Sequence, residues 1–263
     1  MTAAVLPVWW DDAADGPTNM AADEVLADEA ARHGGLVIRI YSWSMPSVSL
    51  GAFQPLAAAR ACVAVSGLPL VRRPSGGGAI VHGTDLTYAA AVPKAHPWGR
   101  TPQALYDALH TAMAAVLTDV GIAARLHEAV ATDPPADAFL CFARRSVGDL
   151  VAPPTGQPAA AGDPKIMGSA QRRLGTTVLQ HGSLLLSTNR DLGEAARLPG
   201  VAELAGRDDA WEPRQIAEPW LNAIARALGA VIDHQPAALC HGRDLAIEAH
   251  AQRFRDRHWT ARR

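Results

Sequence analysis

The chain has 263 residues, 49% of them hydrophobic and 19% charged, with a formal net charge of -2. This composition is typical of a folded globular protein, and the lack of a basic excess argues against a nucleic-acid partner. The N-terminus has no positive segment followed by an apolar run, and no stretch reaches the roughly 18 apolar residues of a membrane span, so we expect a cytoplasmic protein without a membrane partner.

The first half of the chain alternates a helix with short strands. Thr18 or Asn19 is suited to cap a helix over 19–33, which Gly34 and Gly35 would end. Runs rich in β-branched and aromatic residues then predict strands at 36–43, 47–51, 69–73, 78–82 and 86–92. The segment 71–92 should form two adjacent strands joined by a loop of three glycines, Gly76, Gly77 and Gly78, which we call the glycine loop.

The second half begins with the clearest helix. Thr101 is a good cap, Pro102 suits the first helical position, and apolar residues at helical spacing continue to Gly121. Strand-like runs return over 139–187, broken at 152–164 by a loop rich in Pro, Gly and Ala, and the tail reads as helices, notably 219–228. Strands in succession beside separate helices predict an α+β fold.

Cysteine and lysine are both scarce. The three cysteines, Cys62, Cys141 and Cys240, have no CxxC spacing, which argues against a disulfide framework and against a zinc site. Of 24 cationic side chains, only Lys94 and Lys165 are lysines. Coding bias can replace surface lysines by arginine, so a retained lysine suggests a position where a planar guanidinium cannot replace a compact ammonium.

Three blocks of sequence carry the residues suited to chemistry. In VRRPSGGGAIVH, over 71–82, three glycines without side chains would let a ligand approach the main chain, although a plain hairpin turn is the alternative. In KIMGSAQRR, over 165–173, strand periodicity puts Lys165 on one face with Met167, Ser169 and Gln171. In LQHGSLLL, over 179–186, His181-Gly182 interrupts an apolar strand, as at a bulge or a close backbone approach. Alone, the lysine could be a surface group and the histidine a core residue.

Together and in this order, the blocks resemble the motifs of the lipoate–protein ligase A and octanoyltransferase family. RRPSGGGAIVH is similar to its RRxxGGGAxxH loop, KIMGSAQRR to its KxxGSAxR strand, and LQHGSLLL to its HGT/S-LL strand. The resemblance covers about residues 16–190. It implies one biotin/lipoate-ligase-type catalytic domain over 1–263, with mixed or antiparallel sheets, packed helices and a motif-bearing core at about 16–232. It also implies that Lys165 contacts the acyl carbonyl and that acyl binding involves Arg72, Arg73, Ser75, Gly76, Gly77, Gly78, His82, Gly168, Ser169, His181 and Gly182.

A fourth segment favours one branch of this family. FLCFARRSVGDL, over 139–150, resembles the CFxxxSxxxL region of cysteine-dependent octanoyltransferases, with Cys141 at the nucleophile position and Arg145 where the pattern has Pro. The catalytic residues would be Cys141 and Lys165, unless Cys141 is a buried inert residue.

The resemblance thus implies transfer of an octanoyl or lipoyl group from acyl carrier protein to a lysine of a lipoyl-carrier domain, such as the glycine cleavage H protein or a dehydrogenase subunit. This reaction needs no cofactor and no metal. An ATP-dependent lipoate–protein ligase that forms an acyl-adenylate, and therefore needs ATP and Mg²⁺, is the main alternative. A non-catalytic acyl- or biotin-binding relative is the second alternative.

Overall fold

A computed structural model describes residues 4–128, 138–190, 197–234 and 242–262. Its strands, in chain order, are β1 Ala4–Trp10, β2 Val37–Tyr41, β3 Ser47–Leu50, β4 Leu70–Arg72, β5 Ile80–His82, β6 Asp85–Pro93, β7 Arg125–Leu126, β8 Leu150–Val151, β9 Lys165–Leu174, β10 Thr177–Leu185 and β11 Ala230–His234. The helices are α1 Gly16–His33, α2 Leu56–Ala61, α3 Pro102–Asp119, α4 Val201–Leu204, α5 Pro213–Leu228, α6 Arg243–Arg255 and α7 Arg257–Ala261. Short 3-10 turns occupy Val63–Val65, Pro97–Gly99 and Cys141–Ala143.

The centre of the fold is an eight-stranded mixed sheet in the order β11-β1-β2-β6-β10-β9-β8-β7. Strand β1 pairs in parallel with β11 and β2, and the remaining pairs are antiparallel. Helices α3 and α5 cover one apolar face of this sheet, and α1 and α6 cover the other. This arrangement confirms the predicted α+β class with helices packed on mixed sheets. No helix in the described part of the chain is long and apolar enough to cross a membrane.

Helix α1 begins three residues earlier than the sequence suggests. Asp15, not Thr18 or Asn19, is the cap, and its side chain accepts a hydrogen bond from the Thr18 amide at 2.9 Å. The side-chain amide group of Asn19 instead donates into the interior, to the carbonyl oxygens of Ala14 and Ser42. Gly34 ends the helix with a φ of 80°, as predicted, because this left-handed conformation favours glycine.

A second, three-stranded sheet carries the glycine loop, in the order β4-β3-β5. The prediction that the strands flanking the loop are adjacent is wrong, because β3 lies between them, parallel to β4 and antiparallel to β5. The loop crosses over the end of β3. A Cβ added to Gly51 would lie only 2.0 Å from the Gly77 carbonyl oxygen, so the crossing requires a glycine at position 51.

Three further boundaries differ from the sequence prediction. Residues 139–142 do not form a strand; Cys141 starts a 3-10 turn. The Cys141 amide donates to the Ala79 carbonyl oxygen, and the Ala79 amide donates to the Phe139 carbonyl oxygen, which ties this turn to the end of the glycine loop. Helix α5 begins at Pro213 and includes Pro219, where the prediction started. Strand β11 was not predicted because its residues are half-buried or exposed and give no alternating pattern.

Candidate active site

The candidate nucleophile and the candidate amine lie side by side in the interior. Lys165 is the first residue of β9 and is 5% exposed, while Cys141 is 8% exposed. The Lys165 Nζ lies 3.4 Å from the Cys141 Sγ and 3.4 Å from the Cys141 carbonyl oxygen. The ring of Phe142 flanks the amine, with its centroid 5.5 Å from Nζ. The fold therefore brings the two predicted catalytic residues, 24 positions apart in the chain, into contact.

The Lys165 amine is also paired with a buried carboxylate. Its Nζ lies 2.7 Å from Oδ2 of Asp149, and the two side chains are 3% and 2% exposed. Burial by itself lowers the pKa of Lys165, but the opposing effects of Cys141 and Asp149 are together larger, so the pKa lies above its ordinary value of 10.5. The amine is therefore a charged ammonium at neutral pH.

A bulge in β9 directs this lysine towards the site. Val151 pairs with Lys165 while its neighbour Leu150 pairs with Met167, so one step along β8 faces two steps along β9. A Cβ added to Gly168 would lie 2.5 Å from Cε of Lys165, which shows that the amine occupies the space beside this glycine. The prediction that Lys165 shares a face with Ser169 is wrong, because the bulge breaks the period-two alternation.

The glycine loop packs directly against Cys141. A Cβ added to Gly78 would lie 2.9 Å from both the Cα and the backbone nitrogen of Cys141. Gly77 has a φ of 91°, a conformation that side-chain-bearing residues rarely adopt. Gly78 therefore brings the main chain of the glycine loop into contact with Cys141, the candidate nucleophile. Whether the three glycines also wrap an acyl chain stays a prediction.

The two arginines before the loop are buried and bind backbone carbonyl groups. Arg73 donates to the carbonyl oxygens of Gly76 at 2.8 Å and Gly78 at 2.6 Å, and burial lowers its pKa to about 10. Arg72 donates to the carbonyl oxygens of Gly51 at 2.8 Å and Thr260 at 2.8 Å, which ties α7 to this region. Arg73 thus fixes the glycine loop and Arg72 fixes the segment that follows β3, and a direct contact with an acyl group stays a prediction for both.

Each of the two predicted histidines is held between a carboxylate and a serine. His181 bonds through Nδ1 to Asp23 at 3.0 Å and through Nε2 to Ser75. His82 bonds through Nδ1 to Asp85 at 2.8 Å and through Nε2 to Ser49 at 2.8 Å. Although burial raises the pKa of Asp85, His82 and several hydrogen bonds lower it below its usual value.

These histidines share a small cavity beside Cys141. The residues that line it include Met20, Trp43, Arg73, Ile80, His82, His181 and Gly182. Ile80 also packs with Cys141 in one apolar cluster. Four predicted acyl-binding residues, Arg73, His82, His181 and Gly182, thus line a single space, which Ile80 links to the apolar cluster of Cys141. Ser169 lies on the other face of the large sheet, where its hydroxyl bonds to Tyr88 and His110.

The model for the lipoyl protein ligase A/B catalytic domain matches residues 15–202. The chain belongs to this family. Among curated relatives, Octanoyltransferase LipM of Moorella thermoacetica is 34% identical over 72% of this chain and 68% of its own. The protein of the same name from Carboxydothermus hydrogenoformans is 34% identical over 67% of this chain and 63% of its own. That of Symbiobacterium thermophilum is 30% identical, over 82% and 84%.

Solved structures of the lipoyl protein ligase family share the fold. One chain from the structural study of the bipartite lipoate protein ligase and its E2 lipoyl domain from Thermoplasma acidophilum aligns with a TM-score of 0.69 at 17% identity. The alignment covers 98% of this chain and 96% of that chain. Lipoate-protein ligase A bound with ATP aligns with a TM-score of 0.67 at 19% identity, over 99% of both chains. The family model and the curated relatives confirm the family resemblance seen in the sequence, and these structures confirm the fold.

Asp149 was not predicted from the sequence as a site residue. Its carboxylate nevertheless contacts the Lys165 amine. Asp149 is the second-last residue of the block FLCFARRSVGDL and stands just before the buried pair Leu150-Val151. An acidic residue beside an apolar strand was the available signal, because a carboxylate at such a position is usually buried only with a partner.

The contact between the glycine loop and Cys141 gives a prediction for stability. Gly78→Ala should lower the free energy of unfolding by about 1–3 kcal/mol, because the new methyl group overpacks the Cys141 backbone. Gly76→Ala is the matched control: its Cβ would lie 3.6 Å from the ring of Phe53, an ordinary contact, so the melting temperature should stay near that of the wild type. Equal destabilisation of both variants would contradict the packing of Gly78 on the thiol segment.

Proposed function

We propose that this chain is an octanoyltransferase that takes an octanoyl group from acyl carrier protein and transfers it to a lysine of a lipoyl-carrier domain through a thioester on Cys141. The observation that carries the proposal is the 3.4 Å contact between the Cys141 Sγ and the Lys165 ammonium. A thiolate is the nucleophilic form of cysteine, and a neighbouring cation stabilises that anion. The octanoyltransferase names of the relatives agree with this reaction.

In the first half-reaction, the Cys141 sulfur attacks the thioester carbonyl of the donor. A carbon–sulfur bond forms on Cys141, negative charge develops on the carbonyl oxygen, and the bond to the carrier thiol breaks as the carbonyl re-forms. The buried Lys165 ammonium is the cation available to stabilise that oxyanion, together with backbone N–H groups of the loop. Cys141 attacks as the thiolate, having lost its proton to solvent, and the carrier leaves as its thiol after taking up a proton from solvent.

In the second half-reaction, the neutral amine of the acceptor lysine attacks the octanoyl-Cys141 thioester. An amide bond forms, the Cys141 sulfur leaves as a thiolate, and the amine releases one proton to solvent. Lys165 again faces the oxyanion. Because its ammonium is paired with Asp149, we assign Lys165 an electrostatic role and not that of a base.

The cavity lined by His82, His181 and Gly182 is the proposed site of the acyl chain. Its walls include the side chains of Met20, Trp43 and Ile80, which suit an unbranched hydrocarbon tail, and it adjoins Cys141 through Ile80. The proposed acceptor is a lipoyl-carrier domain, such as the glycine cleavage H protein or a dehydrogenase subunit. We propose that residues 1–263 act as one catalytic unit, because α7 binds Arg72 through the Thr260 carbonyl oxygen. The proposed compartment is the cytoplasm.

No cofactor takes part in this proposed transfer. The alternative, a ligase, would need ATP and Mg²⁺ to make an acyl-adenylate. Asp149, the carboxylate that contacts Lys165, accepts from Lys165, from the Tyr106 hydroxyl and from the Ser146 amide. No step of the proposed mechanism passes through a metal.

Intact-mass spectrometry separates the two reactions. Incubation with octanoyl carrier protein and without ATP should add one octanoyl group to the chain, which a lipoyl-carrier domain should then remove. Free octanoate alone should add nothing. A chain that gains no adduct from the carrier, yet modifies the acceptor when free acid, Mg²⁺ and ATP are supplied, would be a ligase. A chain that does neither would be a non-catalytic relative.

A further inference from the structure

Asp149 is hydrogen-bonded by Tyr106 of helix α3. The Tyr106 hydroxyl donates to Asp149 Oδ1 at 2.7 Å, and the Ser146 amide donates to Oδ2 at 2.7 Å. Burial and then the Asp149 charge raise the pKa of Tyr106 far above its ordinary value, so its hydroxyl stays a donor. Tyr106 in turn stacks at a tilt on His110, one helical turn further along, with 4.0 Å between ring centroids.

His110 fixes the backbone immediately before Asp149. It is fully buried, and burial lowers its pKa to about 3, so the ring is neutral. Its Nδ1 lies 2.8 Å from the Gly148 carbonyl oxygen, which can only accept, so Nδ1 carries the proton. Its Nε2 therefore accepts from the Ser169 hydroxyl at 2.7 Å. Every hydrogen-bonding atom of the ring is thus used to hold structure.

The same hydrogen-bond direction continues beyond Ser169. Because Ser169 donates to His110, it accepts from the Tyr88 hydroxyl at 2.6 Å, and Tyr88 accepts from the Gln180 amide at 2.8 Å. Strands β6, β9 and β10 are thereby linked to α3 by one ordered chain of donors. A chain in which each group has a single possible role resists rearrangement, since reversing one bond would leave a buried group unsatisfied.

We propose that Tyr106 and His110 of α3 are positioning residues, which hold Asp149 so that Asp149 in turn holds the Lys165 ammonium against Cys141. Tyr106 acts on the carboxylate and His110 on the carbonyl one residue before it. The importance of this arrangement for catalysis rests on the proposed acyl transfer, whereas the placement of the ammonium does not. Neither α3 residue touches Cys141, so their effect reaches the reacting atoms through Asp149 and Lys165.

The charges around the amine explain why such support is needed. The titratable groups that face Lys165 are Asp149 and Cys141, with Tyr106 and His110 behind the carboxylate. A buried ammonium without a counterion loses its proton, because burial disfavours the charged form. If the Asp149 carboxylate could rotate away, Lys165 would therefore lose its positive charge and its fixed position against Cys141.

The scarcity of lysine makes this proposal measurable without any acyl donor. In protein labelled with ¹⁵N-lysine, only Lys94 and Lys165 contribute side-chain signals. Titration by NMR should place the Lys165 pKa above 10.5 in the wild type. Asp149→Asn, which keeps the shape of the side chain and removes its charge, should lower that pKa by at least about one unit. An unchanged Lys165 titration in Asp149→Asn would overturn the role of Asp149.

Tyr106→Phe tests the support from α3. Loss of its hydroxyl should speed the exchange of the Lys165 ammonium protons with water by about tenfold, as expected when one buried hydrogen bond is lost. Tyr41→Phe is the matched control, because Tyr41 is also buried and donates to a buried carboxylate, Asp23, on the other face of the sheet. The control should leave the Lys165 signal as in the wild type. Equal effects of the two variants, or none from Tyr106→Phe, would overturn the proposal.

Turnover gives the catalytic readout. Tyr106→Phe should lower kcat for octanoyl transfer about tenfold with KM little changed, because Tyr106 bonds to Asp149 and acts only through the Asp149–Lys165 pair. A purely structural role would lower the melting temperature without changing the lysine titration or the exchange rate. If the wild type transfers no octanoate, the proposed function fails, yet the NMR results still decide whether Asp149 and α3 position the ammonium.

Discussion

Lys165→Ala is expected to reduce octanoyl transfer by about 10²–10³-fold, the usual cost of removing one charge-stabilising contact from an acyl-transfer site. The reason is geometric: the ammonium is the cation in contact with Cys141, at 3.4 Å from its sulfur. Both half-reactions develop negative charge on the same carbonyl oxygen, so both rates should fall. Single-turnover acylation by octanoyl carrier protein, followed by intact mass, measures the first rate directly.

The alanine variant has a second consequence that needs its own control. Removing Lys165 leaves Asp149 buried without its counterion, and breaking such a buried pair typically costs about 3–5 kcal/mol. Lys165→Met combined with Asp149→Asn removes both charges and keeps the side-chain volumes, so this double variant should fold with near wild-type stability. It should still transfer no more octanoate than Lys165→Ala. A double variant that is stable and active would contradict the role of the ammonium.

Lys165→Arg should also fail, although it preserves the charge. The amine sits where a Cβ of Gly168 would clash at 2.6 Å, so the space that it occupies is narrow. A planar guanidinium is wider than an ammonium and cannot sit between Asp149 and Cys141 as a point charge. Near-normal activity of the arginine variant would show that any cation suffices, and that the survival of Lys165 among so many arginines has no chemical cause.

Local patterns predicted the elements whose signals lie within one segment. Helix α3 follows from Thr101, Pro102 and an apolar stripe, and the structure places it at Pro102–Asp119 with Thr101 as the cap. Helix α1 was found for the same reason, but its start was missed, because Asp15, Thr18 and Asn19 are all good capping residues. Only packing distinguishes them: Asn19 is drawn into the interior by the carbonyl groups of Ala14 and Ser42.

The order of strands in space could not be predicted from spacing. The segment 71–92 has the form of a hairpin, yet β3 inserts between its two strands because Gly51 allows the glycine loop to cross above it. Likewise, residues 139–142 have strand composition, but the chain makes only an isolated bridge at Leu140 before it turns. Both outcomes depend on partners distant in sequence, which a single sequence does not reveal.

The candidate site divides in the same way. Lys165, the glycines, His82 and His181 stand in blocks with unusual residue types, and these blocks were found. Asp149, Tyr106 and His110 are ordinary residue types in their segments, and the pattern that stands out in the sequence of α3 is its apolar stripe. Their significance appears when Tyr106 is seen 2.7 Å from a carboxylate 43 positions later. Residues that act through another residue carry no pattern of their own.

Cys141→Ala and Cys141→Ser are both expected to abolish the octanoyl adduct and to reduce transfer by about 10⁴–10⁶-fold, as for other enzymes that lose their nucleophile. Hydroxylamine should remove the adduct from the wild type, because it cleaves thioesters. Cys62→Ala is the matched control: Cys62 is half-buried beside α2, packs with a different apolar cluster, and should acylate at the wild-type rate. Cys240, which lies outside the described residues, gives a second control by the same substitution.

A Cys141 that is not the nucleophile predicts a different set of results. If Cys141 only packs against Ile80 and Leu185, its replacement by Ala should cost about 1 kcal/mol of stability and leave turnover largely intact. Product would then appear only with free acid, Mg²⁺ and ATP, and no adduct would form from the carrier. That result would refute the thioester while leaving the family, the fold and the ammonium of Lys165 in place, since an acyl-adenylate presents the same carbonyl oxygen. The adduct on Cys141 is thus the measurement that separates the two chemistries on one unchanged site.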